Sequence, residues 1–212
     1  MASILDLLGS DAGKQLISGA SAQTGESPNK TASVLGMALP VLLGAMKRNA
    51  STPEGAQSLN NALEDNRHDG SILDQLGGLL GGGSADSGLL NDGAGILSHV
   101  LGGNENKVTQ NLSRTSGVDA GSVAQIIKMA APILMGLLGS QKRKDNVGSS
   151  GIEGLLGSVM GSNNSHDQSL IETLLDSDGD GSVIDDVGGM ILGGKSKKGG
   201  LGGLLGGLFG RK

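Results

Sequence analysis

The chain has 212 residues, enough for one large domain or two small ones, and hydrophobic residues make up 36% of it. It contains no cysteine, which excludes a disulfide framework, thiol catalysis and cysteine-ligated metals. The net charge is −5 and Phe209 is the single aromatic residue, so the chain lacks both the basic stripe and the stacking groups of a nucleic-acid-binding protein.

The first residues of the chain indicate in which cellular compartment the protein is expected. They lack the basic n-region of a signal peptide and include Asp6. The longest apolar runs, 34–46 and 129–139, are shorter than the roughly 20 residues that cross a bilayer. Together with the lack of cysteine, these features predict a cytoplasmic protein.

The first half of the chain predicts short helices at 12–23, 53–65 and 72–80 around one apolar central helix. Pro40 lies inside the central helix and predicts either a kink or a division into two shorter helices. Ser27-Pro28 and Thr52-Pro53 each place a capping residue before a proline at the first helical position. The apolar face of the central helix consists of Val34, Leu35, Ala38, Val41, Leu42 and Ala45.

The second half repeats this organisation, with short helices predicted at 94–102, 105–115, 152–160, 170–175 and 183–192. Pro132 interrupts its central helix as Pro40 interrupts the first. The stretches 81–93, 140–149 and 161–168 are rich in Gly, Ser, Asn and Asp and predict loops. The apolar face of the second central helix consists of Ile126, Ile127, Ala130, Ile133, Leu134 and Leu137.

Polar residues near the central helices predict structural roles. Lys47-Arg48 and Lys142-Arg143-Lys144 follow the two helices, where we expect solvated cations that complement the helix dipole. Capping boxes are predicted at several helix starts, among them Ser71. His68, His99 and His166 lack metal-ligand spacing, and we expect His68 in a loop or cap.

Two phrases of the sequence occur twice. Met37-Ala-Leu-Pro-Val-Leu-Leu-Gly-Ala-Met46 recurs as Met129-Ala-Ala-Pro-Ile-Leu-Met-Gly-Leu-Leu138, and the Asp-Gly-Ser phrase that begins at Asp69 recurs at Asp180. The repeat predicts an all-α multihelical bundle of two related units, each built on a Pro-kinked buried central helix. We expect the first unit at 1–83, a Gly/Ser linker at 84–93, the second unit at 94–194 and a basic tail at 195–212. The central helices should pack near a pseudo-twofold axis.

Asp176-Ser-Asp178-Gly-Asp180-Gly-Ser182 resembles the opening of a calcium loop, in which alternate carboxylates surround a hard cation. We therefore predict a Ca²⁺ site at 176–187. The twelfth loop position is Val187 instead of the usual bidentate Glu, so full coordination is not expected. The alternative is that this phrase merely begins a helix, as expected for the first copy, in which Arg67 replaces the middle carboxylate. The predicted ligands are Asp176, Asp178, Asp180, the Ser182 carbonyl and Asp185, with Asp186 as a further candidate.

The carboxyl-terminal tail repeats a short phrase from the first unit. Leu-Gly-Gly-Leu-Leu-Gly-Gly occurs at 76–82 and at 201–207, where Leu208 and Phe209 extend it. Wound as a helix, the tail places Leu and Phe on one face and Gly on the other. It is a flexible appendage, or it orders against a second copy of the chain or an anionic lipid surface. The five cations of the tail are Lys195, Lys197, Lys198, Arg211 and Lys212.

The repeated unit resembles a known family. The run from Gly117-Val-Asp through Met-Ala-Ala-Pro-Ile-Leu, its counterpart at 25–46 and the Asp-Gly-Ser phrases are similar to the YidB-like bacterial domain of unknown function. The resemblance covers most of 1–194 and implies a multihelical bacterial protein. It supplies no activity and no catalytic residues.

Three classes of function follow from these patterns. The first is a structural, self-associating protein that forms homo-oligomers. The second is a calcium-responsive protein-binding module whose sensor is 176–187. The third is an enzyme, which we do not expect because no nucleophile, base and orienting group can be assembled from the sequence.

Overall fold

Residues 4–81 and 85–160 are described by a computed structural model, and they form an all-α bundle, which confirms the predicted fold class. No strand occurs within those two ranges. Turns of 3-10 helix lie at Asn66–His68, Gly102–Asn104 and Ser149–Gly151. The α-helices are α1 (Ile4–Gly9), α2 (Asp11–Thr24), α3 (Pro28–Asn49), α4 (Pro53–Glu64), α5 (Ser71–Asp74), α6 (Leu76–Leu79), α7 (Ser87–Leu101), α8 (Glu105–Ser116), α9 (Ala120–Lys144) and α10 (Ile152–Met160).

The two proline-containing helices, α3 and α9, form the centre of the bundle. Every residue of the predicted α3 face is at most 1% exposed, and the α9 face is equally buried except at Leu137, which is partly buried. Each helix continues through its proline, so the expected alternative of two shorter helices does not occur. Apolar packing around the whole circumference stabilises both helices despite the hydrogen bond that each proline removes.

Helix α9 is long and apolar enough to cross a membrane by length and composition alone. Its most apolar 18-residue window has a mean hydropathy of 1.5, and 67% of that window is buried inside the protein. A core helix of a bundle passes the same test, because its side chains must be apolar on nearly every face. Burial in the bundle therefore accounts for the composition of α9.

The helices around α3 and α9 are arranged reciprocally. Helices α2 and α8 precede the central helices in the chain, and each contacts both of them. Helices α4 and α10 follow the central helices, and each again contacts both. This is the arrangement that a pseudo-twofold relation between α2–α4 and α8–α10 requires, and it agrees with the internal repeat.

Capping residues set several helix ends as predicted. Ser27 and Thr52 accept hydrogen bonds from the backbone N–H groups of the first turns of α3 and α4, and Asp119 does the same for α9. Gly25 and Gly117, which the repeat aligns, end α2 and α8 in the left-handed conformation with φ of 72° and 66°. The helices predicted at 12–23, 53–65, 105–115 and 152–160 are confirmed to within two residues at either end.

The predicted linker at 84–93 is wrong over residues 87–93, because α7 begins at Ser87. The Asp86 carboxylate accepts hydrogen bonds from the N–H groups of Gly88 and Leu89 at 2.8 and 3.1 Å and so caps the helix. The glycines that suggested a loop permit close packing instead. A Cβ atom placed on Gly93 would overlap the backbone carbonyl of Lys128 in α9.

Three smaller predictions are also wrong. Helix α9 extends to Lys144, so residues 140–144 are helical instead of part of a loop. The helix expected at 72–80 is two short helices, α5 and α6, separated at Gln75. Ser71 does not cap α5: Gly70 occupies the cap position, and the Asp69 carboxylate accepts a hydrogen bond from the Ser71 N–H at 2.8 Å. The helices expected at 170–175 and 183–192 lie outside the described residues.

Candidate functional site

A groove of about 1040 Å³ lies between α4 and α7. The two helices run antiparallel, because the amino-terminal end of α4 and the carboxyl-terminal end of α7 both lie at the Asn49 end of the groove. Met46 of α3 and Met135 of α9 are buried beneath it. The other apolar residues that line the groove are Leu59 and Ala62 of α4 and Ile96 and Val100 of α7.

Small residues line both walls of the groove. Gly55 and Ser58 line it from α4, and Gly88 and Gly95 line it from α7. Gly95 is exposed, and a Cβ atom placed there would meet no atom within 4 Å. The groove therefore presents backbone and short side chains beside an apolar floor, a surface onto which another helix can pack closely.

Charged residues form one end of the groove. The Arg67 guanidinium lies between two carboxylates: it donates to Asp65 at 3.0 and 3.1 Å and to Asp92 at 2.8 Å. Hydrogen bonds from the Arg67 side chain and then from its backbone N–H lower the pKa of Asp65 to about 2. The hydrogen bond to Asp65 in turn raises the pKa of Arg67. Two carboxylates thus share one guanidinium, and this end of the groove presents charges of both signs, Arg67 and Asp92.

His68 lies at the same end and is 4% exposed. Its Nδ1 is 2.8 Å from the carbonyl oxygen of Ala62, and because a carbonyl can only accept, Nδ1 carries a proton. Its Nε2 is 3.5 Å from a carboxylate oxygen of Asp92 and has no hydrogen-bond partner among the described residues. The residue ends the 3-10 turn between α4 and α5 instead of lying in a loop, and its burial beside the groove was not predicted.

At the opposite end of the groove, the hydrogen bonds join uncharged polar groups. The Asn49 side-chain amide donates to the carbonyl oxygens of His99 and Val100 at 3.4 and 3.1 Å. These carbonyls belong to the last turn of α7, where no later N–H group of the helix is left to donate to them. Asn49 therefore joins the ends of α3 and α7.

The cations at the end of α9 hold the base of the groove in place. Lys142 is 7% exposed and donates to Glu64 at 2.9 Å, and this hydrogen bond lowers the pKa of Glu64. Arg143 donates to the carbonyl oxygens of Glu64, Asp65 and His68 at 3.0–3.3 Å. The prediction that these cations are simply solvated is wrong for Lys142, which is buried against the Glu64 carboxylate, and for Arg143, which binds carbonyl oxygens at and after the end of α4, whereas Lys144 is exposed. Burial also lowers the pKa of Arg48 at the end of α3.

The predicted calcium ligands, Asp176, Asp178, Asp180, Ser182 and Asp185, lie outside the described residues, as does Asp186. The first copy of this acidic phrase lies within the described residues. There the carboxylates of Asp65 and Asp69 each accept a hydrogen bond from the backbone N–H of the residue two positions later in the chain. Hydrogen bonds from Ser71 lower the pKa of Asp69. The first copy begins a helix, as expected, but Ser71 does not cap it. Within 4–81 and 85–160, no group of three or more His, Asp or Glu residues is arranged to hold a metal ion.

The first copy of the Leu-Gly-Gly phrase forms a docked surface. Leu76 and Leu80 are 0% and 6% exposed, whereas Gly77, Gly78 and Gly81 are exposed. Helix α6 packs against α2, and a Cβ atom placed on Gly19 of α2 would overlap the Leu80 side chain. The phrase thus turns its leucines inward and its glycines outward.

Sequence reasoning missed the groove and its charged end. Arg67 and Asp92 are far apart in the chain, and Asp92 fell in the predicted linker. A recognisable signal was the Asp86-Ser87 pair, which has the form of a helix start. Chemically, the groove offers an apolar floor, small walls and one end with charges of both signs, which suit the binding of an amphipathic segment.

No curated protein and no solved structure matches the chain significantly. A family model described as "Bacterial protein of unknown function (DUF937)" matches residues 6–141 and 153–212. The first matched stretch contains α3 and all but the last three residues of α9, and the second contains all but the first residue of α10 together with the basic tail. The YidB-like resemblance is consistent with this family. Together the two stretches cover most of the sequence, and the chain belongs to this DUF937 family of bacterial proteins of unknown function.

Proposed function

We propose that the protein is a non-enzymatic structural protein that self-associates through its carboxyl-terminal tail. The observation that supports this most directly is the docking of the Leu-Gly-Gly phrase at 76–81 against α2, with its leucines inward. The tail carries the same phrase at 201–207. A segment that packs on a helix in one part of the chain has the side chains needed to pack on a helix of a second copy.

Charge favours association between copies. The tail holds five cations and no acidic residue, although the whole chain has a net charge of −5. The rest of the chain is therefore acidic, and a tail approaching another copy is attracted over a distance of about a Debye length, roughly 8 Å at physiological ionic strength. The Leu and Phe side chains then supply short-range apolar contact.

Removing residues 195–212 tests this proposal. Light scattering over a range of protein concentrations should give a higher molar mass for the full chain than for the truncated chain. Circular dichroism serves as the control, because the described helices all precede the deletion. Equal masses at every concentration would contradict the proposal.

An anionic lipid surface is the alternative acceptor for the tail. Its cations and apolar face are also features of segments that lie in a membrane interface. Co-sedimentation with vesicles containing an anionic phospholipid separates the two acceptors. If the tail causes vesicle binding while the full chain stays monomeric, the self-association proposal fails in favour of a peripheral membrane role.

The acidic loop at 176–187 supports a second candidate, a calcium-responsive binding module. Its three alternate carboxylates are typical calcium ligands, and without the twelfth ligand we expect an affinity of about 10⁻⁵–10⁻³ M. Calorimetric titration with Ca²⁺ should give binding heat that Asp178→Ala abolishes and that Asp74→Ala, at an exposed position, leaves unchanged. Absence of heat with the unmodified chain would contradict the calcium site.

A further inference from the structure

We infer that the groove between α4 and α7 is the acceptor for residues 201–209 of a second copy of the chain. This inference rests on the proposed self-association and names the surface that receives the tail. The first docking site of the Leu-Gly-Gly phrase, on α2, is already occupied by Leu76 and Leu80 of the same chain. A tail carrying the same phrase therefore needs another apolar surface.

The spacing of the tail residues fits a helix-in-groove contact. Leu201, Leu204, Leu205 and Leu208 follow the i, i+3, i+4, i+7 pattern of the anchors in such contacts. The groove offers apolar side chains in its floor and walls, including Leu59 and Ile96. The buried methionines beneath them are adaptable in shape and suit the reception of leucine side chains.

The small residues of the walls suit a glycine-rich guest. Ser58 and Gly95 leave space between α4 and α7, which both pack on α9. The positions between the leucines of the tail are glycines. The backbone of such a segment can approach the floor of the groove as closely as α6 approaches α2 at Gly19.

Charge favours the tail as the guest of the groove. The tail carries five cations on both sides of its apolar segment, whereas the rest of the chain is acidic. Asp92 lines the groove and offers one carboxylate to these cations, although Arg67 already donates to it. Opposite charges speed the association of two such surfaces.

A tail that binds the groove of another copy forms a heterologous contact. The donor surface differs from the acceptor surface, so each copy keeps one free tail and one free groove. Such contacts close into rings or continue as open chains. The molar mass of the full chain should therefore rise with concentration.

Two glycine substitutions in the full-length chain test the groove. Gly95→Gln fills the groove from α7, and Gly154→Gln alters an equally exposed glycine of α10; neither position has an atom within 4 Å of an added Cβ. We expect Gly95→Gln to reduce the light-scattering mass to that of the chain lacking 195–212, and Gly154→Gln to leave it unchanged. If the truncation lowers the mass but Gly95→Gln does not, self-association stands and the groove is excluded as the acceptor.

Cross-linking identifies which copy supplies the tail. The chain has no cysteine, so Ser58→Cys in the groove and Gly210→Cys in the tail introduce unique thiols. Mixing the two full-length variants with a short bismaleimide should give a cross-linked heterodimer. Replacing Ser58→Cys by Gln110→Cys, at an exposed position of α8, should abolish it. The contrary result is a mixture without heterodimers, together with an intramolecular cross-link in the Ser58→Cys/Gly210→Cys double variant. It would show that the groove receives the tail of its own chain and not that of a second copy.

Discussion

Arg67 shows how one side chain organises the end of the groove. It donates to Asp65, two residues before it, and to Asp92, which lies on a different helix. These contacts fix the position of the 3-10 turn relative to α7. Asp65 is largely held by local hydrogen bonds, so its titration reports directly on whether the Arg67 contact exists in solution.

Replacing Arg67 by Ala should raise the pKa of Asp65 from about 2 towards its ordinary value of 3.8. A carboxylate with a lowered folded-state pKa stabilises the fold above its unfolded pKa, and that contribution is lost as the pH falls from about 4 to about 2. As the pH falls from about 4 to about 2, the free energy of unfolding should therefore decrease less in the Arg67→Ala variant than in the unmodified chain. An NMR titration of the carboxylates measures the shift.

Asp69 is the internal control for that titration. Its pKa is lowered by hydrogen bonds from Ser71, which Arg67 does not provide. The pKa of Asp69 should therefore stay low in the Arg67→Ala variant. A pKa of Asp65 that stayed near 2 in the variant would contradict the contact.

Helix α7 shows how glycine serves different purposes within one element. Gly93 faces α9, where an added Cβ would overlap the Lys128 carbonyl, whereas Gly95 faces the groove and has open space. Both are helical, although the sequence predicted a loop at Gly93 and a helix at Gly95. Their different surroundings give opposite expectations for the same substitution.

Gly93→Ala should lower the free energy of unfolding by about 1–3 kcal/mol, because the new methyl group pushes α7 away from α9. Gly95→Ala should raise it by up to about 1 kcal/mol, because alanine favours the helix and meets no neighbour. Urea denaturation of the two variants measures both changes. A stabilising Gly93→Ala would show that α7 does not pack against α9 in this register.

The elements that were predictable from sequence are those whose signals are local. The faces of α3 and α9, the caps at Ser27 and Thr52 and the ends at Gly25 and Gly117 depend on spacing and on residues within one turn. The start of α7 was missed because its glycines have low helix propensity and are held by tertiary contact. The groove could not be predicted, because it depends on the separation of α4 and α7, which no spacing within the chain encodes.

At the scale of the whole molecule, one hydrophobic core joins the two repeated units. It is built almost entirely from aliphatic side chains and methionine, without aromatic residues among its buried members. Leu134 of α9 and Leu42 of α3 lie in this core and are at most 1% exposed. The repeated units therefore depend on each other for burial.

A charge placed in this core should unfold both units together. Leu134→Asp buries a carboxylate without a partner and should abolish the cooperative thermal transition seen by circular dichroism. Leu134→Met, which conserves volume, should cost less than about 1.5 kcal/mol. A Leu134→Asp variant that melts close to the unmodified chain would place α9 outside the core.

The most direct test of the proposed function compares the two faces of the tail. Leu204→Asp with Leu205→Asp and Gly202→Asp with Gly206→Asp each add two negative charges, but the first pair alters the apolar face and the second the glycine face. Light scattering over a range of concentrations should give the low mass of the truncated chain for the leucine pair and a clearly higher mass for the glycine pair. Equal masses for both pairs, or a leucine pair that associates like the unmodified chain, would contradict self-association through the apolar face of the tail.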